Sequence, residues 1–508
     1  MTEPLPPYTP VIIGVGQYAE RIGEPGYRAL SPMDLAGEAL QRAIVDCGAD
    51  VAGTIDTVAA IRQFEISTPN AKAPFGLSDN PPRSIARRVG CDPDRAILEV
   101  VGGQGPQKLV GELAAEIAEG RCGMAAIVGS EAISTALALM KSGEAADWSE
   151  EVGGDIEDRG FGMRGLLDKT LIVHGLVTPI SLYALFENAR RAQRGVSLDA
   201  YRHEMGELFA SFTEVAAANP YAAAPVAHSA ETLATVTERN RIVAEPFPRL
   251  MVARDQVNQA AGIILSSVEK AREAGIPEER WIYIHASADA KELSVLERPD
   301  LARSSASIAS VQTALELVGI GVADIGYFDL YSCFPIAVSN IIDAFGIAPG
   351  DPRGLTLTGG LPFFGGAGNN YSAHAIAEAA ARLRKNPDGY ALVGANGGFM
   401  SKYSTGIYSR RPACWEGTCR WKTVPASGDK ATVVDGYSGS AIVESYTVVP
   451  SASGDRGAIV GRAETGERFM AVPSDESGLD RLREGEPFGR RISVTAGEDR
   501  RNGFVFSD

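Results

Sequence analysis

The sequence predicts a layered α/β body of two matched halves, with a helical insertion between them and a small all-β, OB-like module at the C-terminal end. Three observations predict it. Apolar runs of strand length alternate with segments of helical periodicity, one glycine-turn, helix and strand pattern occurs twice, and composition changes to short alternating runs after about Thr423.

The elements follow in order. Val11-Ile12-Ile13-Gly14-Val15, bounded by Pro10, reads as a buried strand, and Met33 to Asp46 repeats apolar residues at helical spacing. Thr57–Ile61, Ala96–Val101 and Met124–Val128 read as further strands, with a helix over Lys108–Glu119. The segment from Gly102 to Gly129 (GGQGPQKLVGELAAEIAEGRCGMAAIVG) matches that from Gly365 to Gly394 (GGAGNNYSAHAIAEAAARLRKNPDGYALVG). Upstream, the helix-to-strand passage from Met33 matches Ser310–Phe334, so a duplicated unit is the economical reading. Between the halves, GEAADWSEEVGGDIEDRG reads as a solvated acidic loop, and Ile180–Arg194 and Leu198–Ala217 read as helices. After Thr423 the runs SAIVESYTVV, GAIVGRAE, RFMAV and RISVTA, separated by turn residues, predict a five-strand barrel. The expected domains are 1–136 with 239–270 for the first half, 137–238 for the helical insertion, 271–412 for the second half and 423–508 for the barrel.

Composition restricts the function classes. Of 508 residues, 45% are hydrophobic and 22% charged, the balance of a packed globular protein. With 64 acidic and 48 basic residues the net charge is −16, a field that repels phosphate backbones and argues against nucleic acid or an anionic membrane as partner. From Lys430 onward ten basic residues face thirteen acidic ones, so the barrel is no electrostatic groove for single strands either. Met1–Pro10 has no basic segment leading into an apolar run, and no window approaches the roughly 18 apolar residues of a membrane span. A cytoplasmic protein is expected. Six cysteines are too sparse for a disulfide scaffold, CWEGTC lacks a second ligand pair, and the five histidines are scattered, so no metal is expected.

Gly14, Gly16 and Ala19 have the spacing of a dinucleotide fingerprint after a strand. The helix that should open at that turn is missing, because Gly23, Pro25, Gly26 and Pro32 follow, and NAD is not expected. The turns GGQG and GGAGNN are the stronger candidates for a site, since adjacent glycines admit close backbone approach and both open the equivalent helix of their half.

The duplicated halves, the insertion, GGQGPQ, the motif YSCF and the downstream GGLPFFGGAGNNYSAH together resemble the thiolase superfamily, in particular its sterol-carrier-type and thiolase-like branches, often labelled acetyl-CoA acetyltransferase. The resemblance covers roughly Pro10–Pro412. It implies a five-layer αβαβα body, coenzyme A as thioester substrate, and dimers by the habit of the superfamily. The family's nucleophilic cysteine falls on Gly102-Gly103, with Gln104 next. Its Gly-His-Pro turn falls on Gly365-Gly366-Ala367 and its second cysteine near Gly394-Ala395-Asn396, while the oxyanion motif reads Tyr331-Ser332-Cys333-Phe334. A glycine carries no acyl group, so the expectation is acyltransfer or carbon–carbon bond chemistry on acyl-CoA without a cysteine acyl-enzyme. The alternatives are a retro-aldolase on β-hydroxyacyl-CoA, which the resemblance associates with a tyrosine and an OB-fold partner, and a CoA-binding protein without catalysis.

On this reading Tyr331 is the leading catalytic residue, as oxyanion donor or as acid and base if its pKa is lowered, followed by Cys333, Tyr371 and His374. Gly102, Gly103, Gln104 and Gly105 line one side of the pocket, and Gly366, Gly368, Asn369, Asn370 and Asn396 the other. Arg190, Arg191, Arg194, Arg410 and Arg411 are candidates for the phosphates of CoA.

Overall fold

The computed structural model describes residues 5–507 except 416, 418, 426 and 427. Part of the CWEGTC motif and the start of the N-terminal segment lie outside the described residues.

The first half runs β1 (Pro10–Ala19), α1 (Pro32–Cys47), β2 (Thr57–Ala60), α2 (Pro81–Arg88), β3 (Arg95–Leu98), α3 (Gly105–Ala118), β4 (Met124–Ala132) and α4 (Ile133–Ser142). The insertion follows with β5 (Glu157–Asp158), α5 (Lys169–Val173), α6 (Pro179–Arg194), α7 (Leu198–Ala218), α8 (Ala230–Ala234) and a short hairpin of β6 (Ile242–Ala244) and β7 (Phe247–Pro248). The chain returns through β8 (Asn258–Ser267) and α9 (Val268–Glu273). The second half is β9 (Ile282–Lys291), α10 (Ser305–Val318), β10 (Ile325–Asp329), α11 (Pro335–Phe345), α12 (Tyr371–Lys385), β11 (Tyr390–Gly397), β12 (Lys402–Ser409) and β13 (Trp421–Val424).

The body strands lie in the order β10-β11-β12-β9-β1-β8-β4-β2-β3-β5, with β13 beside β9. Val11–Tyr283 and Ile12–Ile282 join the two half-sheets across β1 and β9. The two helices that open at the glycine turns, α3 and α12, pack between the half-sheets, touching β4 and β8 on one side and β9, β11 and β12 on the other. A helix covered on both sides must be apolar all round and slim. The α12 sequence meets this with Ala373, Ala375, Ala377, Ala379 and Ala380, all buried. With α1 outside one sheet and α10 outside the other, the body has five layers.

The glycines of the dinucleotide-like fingerprint have a packing cause. A Cβ on Gly14 would lie 2.3 Å from Ala43 O, and one on Gly16 would lie 2.1 Å from Ala39 O, so the glycines let α1 press its backbone onto β1. The acidic loop is only partly as expected. Glu157 and Asp158 pair in parallel with Ile97 and Leu98 and so cover the edge of β3. Arg159 fastens this strap with bonds to Glu99 (2.7 Å), Glu112 (2.6 Å) and Glu157 (2.8 Å).

The C-terminal residues form a closed barrel in the order β14 (Gly439–Val449), β15 (Arg456–Ala463), β16 (Arg468–Pro473), β18 (Gly503–Phe506) and β17 (Arg491–Thr495), with α13 (Glu476–Arg483) between β16 and β17. Its contacts with the rest of the chain are buried and both apolar, through Ala458, Val460 and Met470, and polar. Arg468, fully buried, donates from Nη1 to Leu296 O (2.7 Å) and Arg298 O (2.5 Å) and pairs with Glu444 within the barrel. Arg191, also fully buried, donates to Tyr446 Oη (3.2 Å) and Gly485 O and pairs with Glu486. This overturns Arg191 as a phosphate ligand: its guanidinium is spent on the barrel. Arg190 is bidentate to Asp343, and Arg194 is bidentate to Glu204.

Candidate functional site

The two glycine turns meet. Gln104 precedes α3 and Asn370 precedes α12, and neither helix start has a side-chain cap, so the turns themselves must deal with the free backbone groups. Asn369 joins them: its Oδ1 accepts from Gly102 N (2.9 Å), while its Nδ2 donates to Arg62 O (2.7 Å) and Ser67 Oγ (3.1 Å). Ser372 Oγ donates to Gly103 O (2.8 Å), and Asn370 Nδ2 donates to Gly129 O (2.7 Å). Gly366 is anchored by its N–H to Arg254 O (2.7 Å).

Tyr331 fills the space above the glycine pair. A Cβ on Gly103 would lie 2.1 Å from Tyr331 Oη and 2.7 Å from Asn396 O. The hydroxyl makes no hydrogen bond among the described residues, and burial pushes its pKa well above the ordinary value. Tyr331 therefore remains a neutral donor, which is the first of the two roles expected of it; the condition for the second, a lowered pKa, is not met. Tyr371 stacks edge-on against it at 5.3 Å, but the Tyr371 hydroxyl is committed to Thr358 Oγ1 (2.5 Å) and Asp329 Oδ1 (3.3 Å).

Cys333 is buried, and burial pushes its thiol up to about 12, the opposite of what a thiolate nucleophile needs. Asn396 Nδ2 lies 3.8 Å from its sulfur and donates to Tyr183 Oη at 2.7 Å. His374 is fully buried and pushed down to about 3 by desolvation. Gln17 donates from Nε2 to Glu378 and so turns its Oε1 toward His374 Nδ1 (2.8 Å), which carries the proton. The imidazole is thus neutral and turned toward Gln17 through Nδ1. An open cleft of about 660 Å³, lined in part by Gln17, Arg42, Tyr221 and Glu378, lies on that side of the molecule.

Around the turns several buried polar atoms have no protein partner among the described residues: Gln104 Oε1, Asn370 Oδ1, Asn396 Oδ1 and Tyr403 Oη. Three of them press on glycines. Gln104 Oε1 would meet a Cβ on Gly102 at 2.1 Å and one on Gly397 at 1.8 Å, Asn370 Oδ1 one on Gly129 at 2.8 Å, and Tyr403 Oη one on Gly394 at 2.2 Å. Gly105 has ordinary space around it, its nearest neighbour being Glu99 at 3.6 Å.

Sequence reasoning missed the contribution of α6. Tyr183 stacks on Phe334 at 4.3 Å, and Glu187 Oε2 accepts from Ile336 N (2.8 Å) at the start of α11, so the insertion orients the YSCF segment. No local signal marks Tyr183. Glu131, by contrast, was visible as a carboxylate ending an apolar strand: it accepts from Phe64 N (2.7 Å), presses on Gly368, and has its pKa raised by burial.

The crystal structure of a monomeric SCP2-thiolase like protein type 1 from Mycobacterium smegmatis matches at 45% identity over 99% of this chain and 100% of its own, with a TM-score of 0.84. The chain belongs to the thiolase superfamily, in its thiolase-like type 1 branch. A family profile, the thiolase-like protein type 1 additional C-terminal domain, matches residues 423–499 of this thiolase-like protein. An Ltp2-ChsH2(DUF35) aldolase (18% identity, TM-score 0.56) and human mitochondrial 3-ketoacyl-CoA thiolase (15%, 0.55) each match 80% of the chain and 99% of their own length, which shows the shared fold. Comparison with curated proteins gave no match. The expected homodimer is not supported: the Mycobacterium smegmatis relative is described as monomeric, and here the edge of β3 is covered by β5.

Proposed function

We propose that this thiolase-like protein acts on an acyl-CoA thioester in carbon–carbon bond chemistry of the retro-aldol type, without a cysteine acyl-enzyme. The observation that carries the reading is the Tyr331 hydroxyl: neutral, without a protein partner, and set against Gly103 among buried polar atoms that also lack partners. A neutral phenol donates a hydrogen bond to the oxygen of an enolate, the charge that develops when a β-hydroxyacyl thioester gives its hydroxyl proton to water, the Cα–Cβ bond breaks and the β-hydroxyl becomes a carbonyl; a proton returned from water to the α-carbon completes the shortened acyl-CoA. Acyl transfer through sulfur is disfavoured by the Gly102-Gly103 pair and by the raised Cys333 thiol. We further read the barrel as OB type, since its strands run first, second, third, fifth, fourth with a helix between third and fourth, and the protein as a monomer.

A second reading, acyl-CoA binding without catalysis, is favoured by burial: Tyr331, Cys333, Tyr371, His374 and Asn396 are all buried, and the Gly102 N–H is taken by Asn369. Incubation with a panel of β-hydroxyacyl-CoA thioesters, followed by mass-resolved product analysis, separates the two. A ketone or aldehyde plus a shortened acyl-CoA supports the lyase, and Tyr331→Phe should then lower turnover by about 100-fold. Exchange of acetoacetyl-CoA with free CoA would overturn it in favour of an acyltransferase, and CoA binding without turnover would favour the second reading.

A further inference from the structure

Lys402 begins β12 directly beside the first glycine turn. Its Nζ donates to Val101 O at 2.9 Å, the carbonyl immediately before Gly102-Gly103, and a Cβ on Gly162 of the strap would lie 3.2 Å from it. The ammonium has no ion pair among the described residues, whereas Lys108, Lys270 and Lys430 each hold a carboxylate. The side chain is half-buried, neither sealed nor free.

We propose that Lys402 is an acyl-acceptor site: its ε-amine is acylated by the thioester that the glycine turn receives. The inference rests on the acyl-CoA reading above. In the step, the Nζ lone pair forms an N–C bond to the thioester carbonyl carbon and the C–S bond breaks. A proton from nitrogen passes to sulfur, leaving an acyl-lysine amide and free CoA thiol with no change of oxidation state. Burial pushes the Lys402 amine down to about 8 against the attraction of Glu99, with Lys291 and Lys108 lowering it further, so at neutral pH a larger share is uncharged and nucleophilic than for an ordinary lysine. Glu99, the carboxylate that acts on it, is itself paired with Arg159 and Lys108.

The test uses the full-length protein with acetyl-CoA and, separately, with the small thioester S-acetyl-N-acetylcysteamine, mapping acetyl-lysine by peptide mass spectrometry. Lys402 should be acetylated at least about fivefold faster than the exposed Lys72 and Lys141, and its rate should level off above about pH 8, where that of a free lysine amine still rises. Lys402→Arg should remove that modification alone. Equal rates at Lys402 and the exposed lysines, or no break in its pH profile, overturn the proposal without needing any variant. Calorimetric binding of CoA keeps the two claims apart: binding with an inert Lys402 defeats this inference, whereas a reactive Lys402 without CoA binding defeats the acyl-CoA reading.

Discussion

At Gly103 a tyrosine hydroxyl and a potential Cβ compete for one volume. Only glycine leaves room for Tyr331 Oη, so Gly103→Ala must displace the ring or the Asn396 carbonyl and should destabilise the fold by about 1–3 kcal/mol. Denaturant titration checks this, and part of the loss should return in Gly103→Ala combined with Tyr331→Phe, since the shortest of the three close contacts is then gone while the ring carbon and the Asn396 carbonyl remain at 2.7 Å. His374 gives a pH prediction. Its folded pKa of about 3 lies below the roughly 6.5 of an unfolded histidine, so the unfolded state binds the proton first and stability falls as pH drops from about 6.5 toward 3. The slope is on the order of 1 kcal/mol per pH unit, and His374→Gln should be measurably flatter over that window. His285, pushed down to about 4 by burial, acts in the same direction. A variant as steep as the parent would show that the acid lability comes from His285 or elsewhere.

Among the elements, β3 and β5 show how a short pairing can control association. An open parallel edge is a template for another chain, and here two residues of the insertion close it, held by Arg159 against the fully buried Glu99. Arg159→Ala leaves Glu99 with Lys108 as its one remaining ion-pair partner among the described residues and should cost about 2–4 kcal/mol in chemical denaturation. Light scattering should also show self-association as the strap loosens; a variant that stays monodisperse would mean that the edge needs no strap. The helices α3 and α12 were readable from their Ala-rich periodicity, and so was their equivalence. Their meeting was not, because the bond from Gly102 N to Asn369 Oδ1 spans residues that the sequence keeps far apart.

Across the whole molecule, the barrel is fastened to the body by buried guanidinium groups together with apolar packing of Ala458, Val460 and Met470. Arg468→Ala strands the Leu296 and Arg298 carbonyls, leaves Glu444 with Arg462 as partner, and should cost about 3 kcal/mol. If body and barrel unfold together, calorimetry will show one transition moving down; an early transition split off from an unshifted main one would mean that they are independent units.

Alternation of apolar runs, Ala-rich helices and paired glycine turns are local properties with a short period, and from them the sequence by itself determined the layered α/β class, the duplication and the C-terminal barrel. The glycines at 102 and 103, where the resemblance puts the family's cysteine, likewise set the expectation of chemistry without a cysteine acyl-enzyme. Tertiary structure alone decided the rest, because protonation and partnership depend on what lies across space. It keeps Tyr331 and Cys333 protonated and His374 neutral by removing them from water, turns Arg191 from a candidate phosphate ligand into a strut for the barrel, makes the acidic loop an edge strand, and sets Lys402 beside the turn that would receive a thioester.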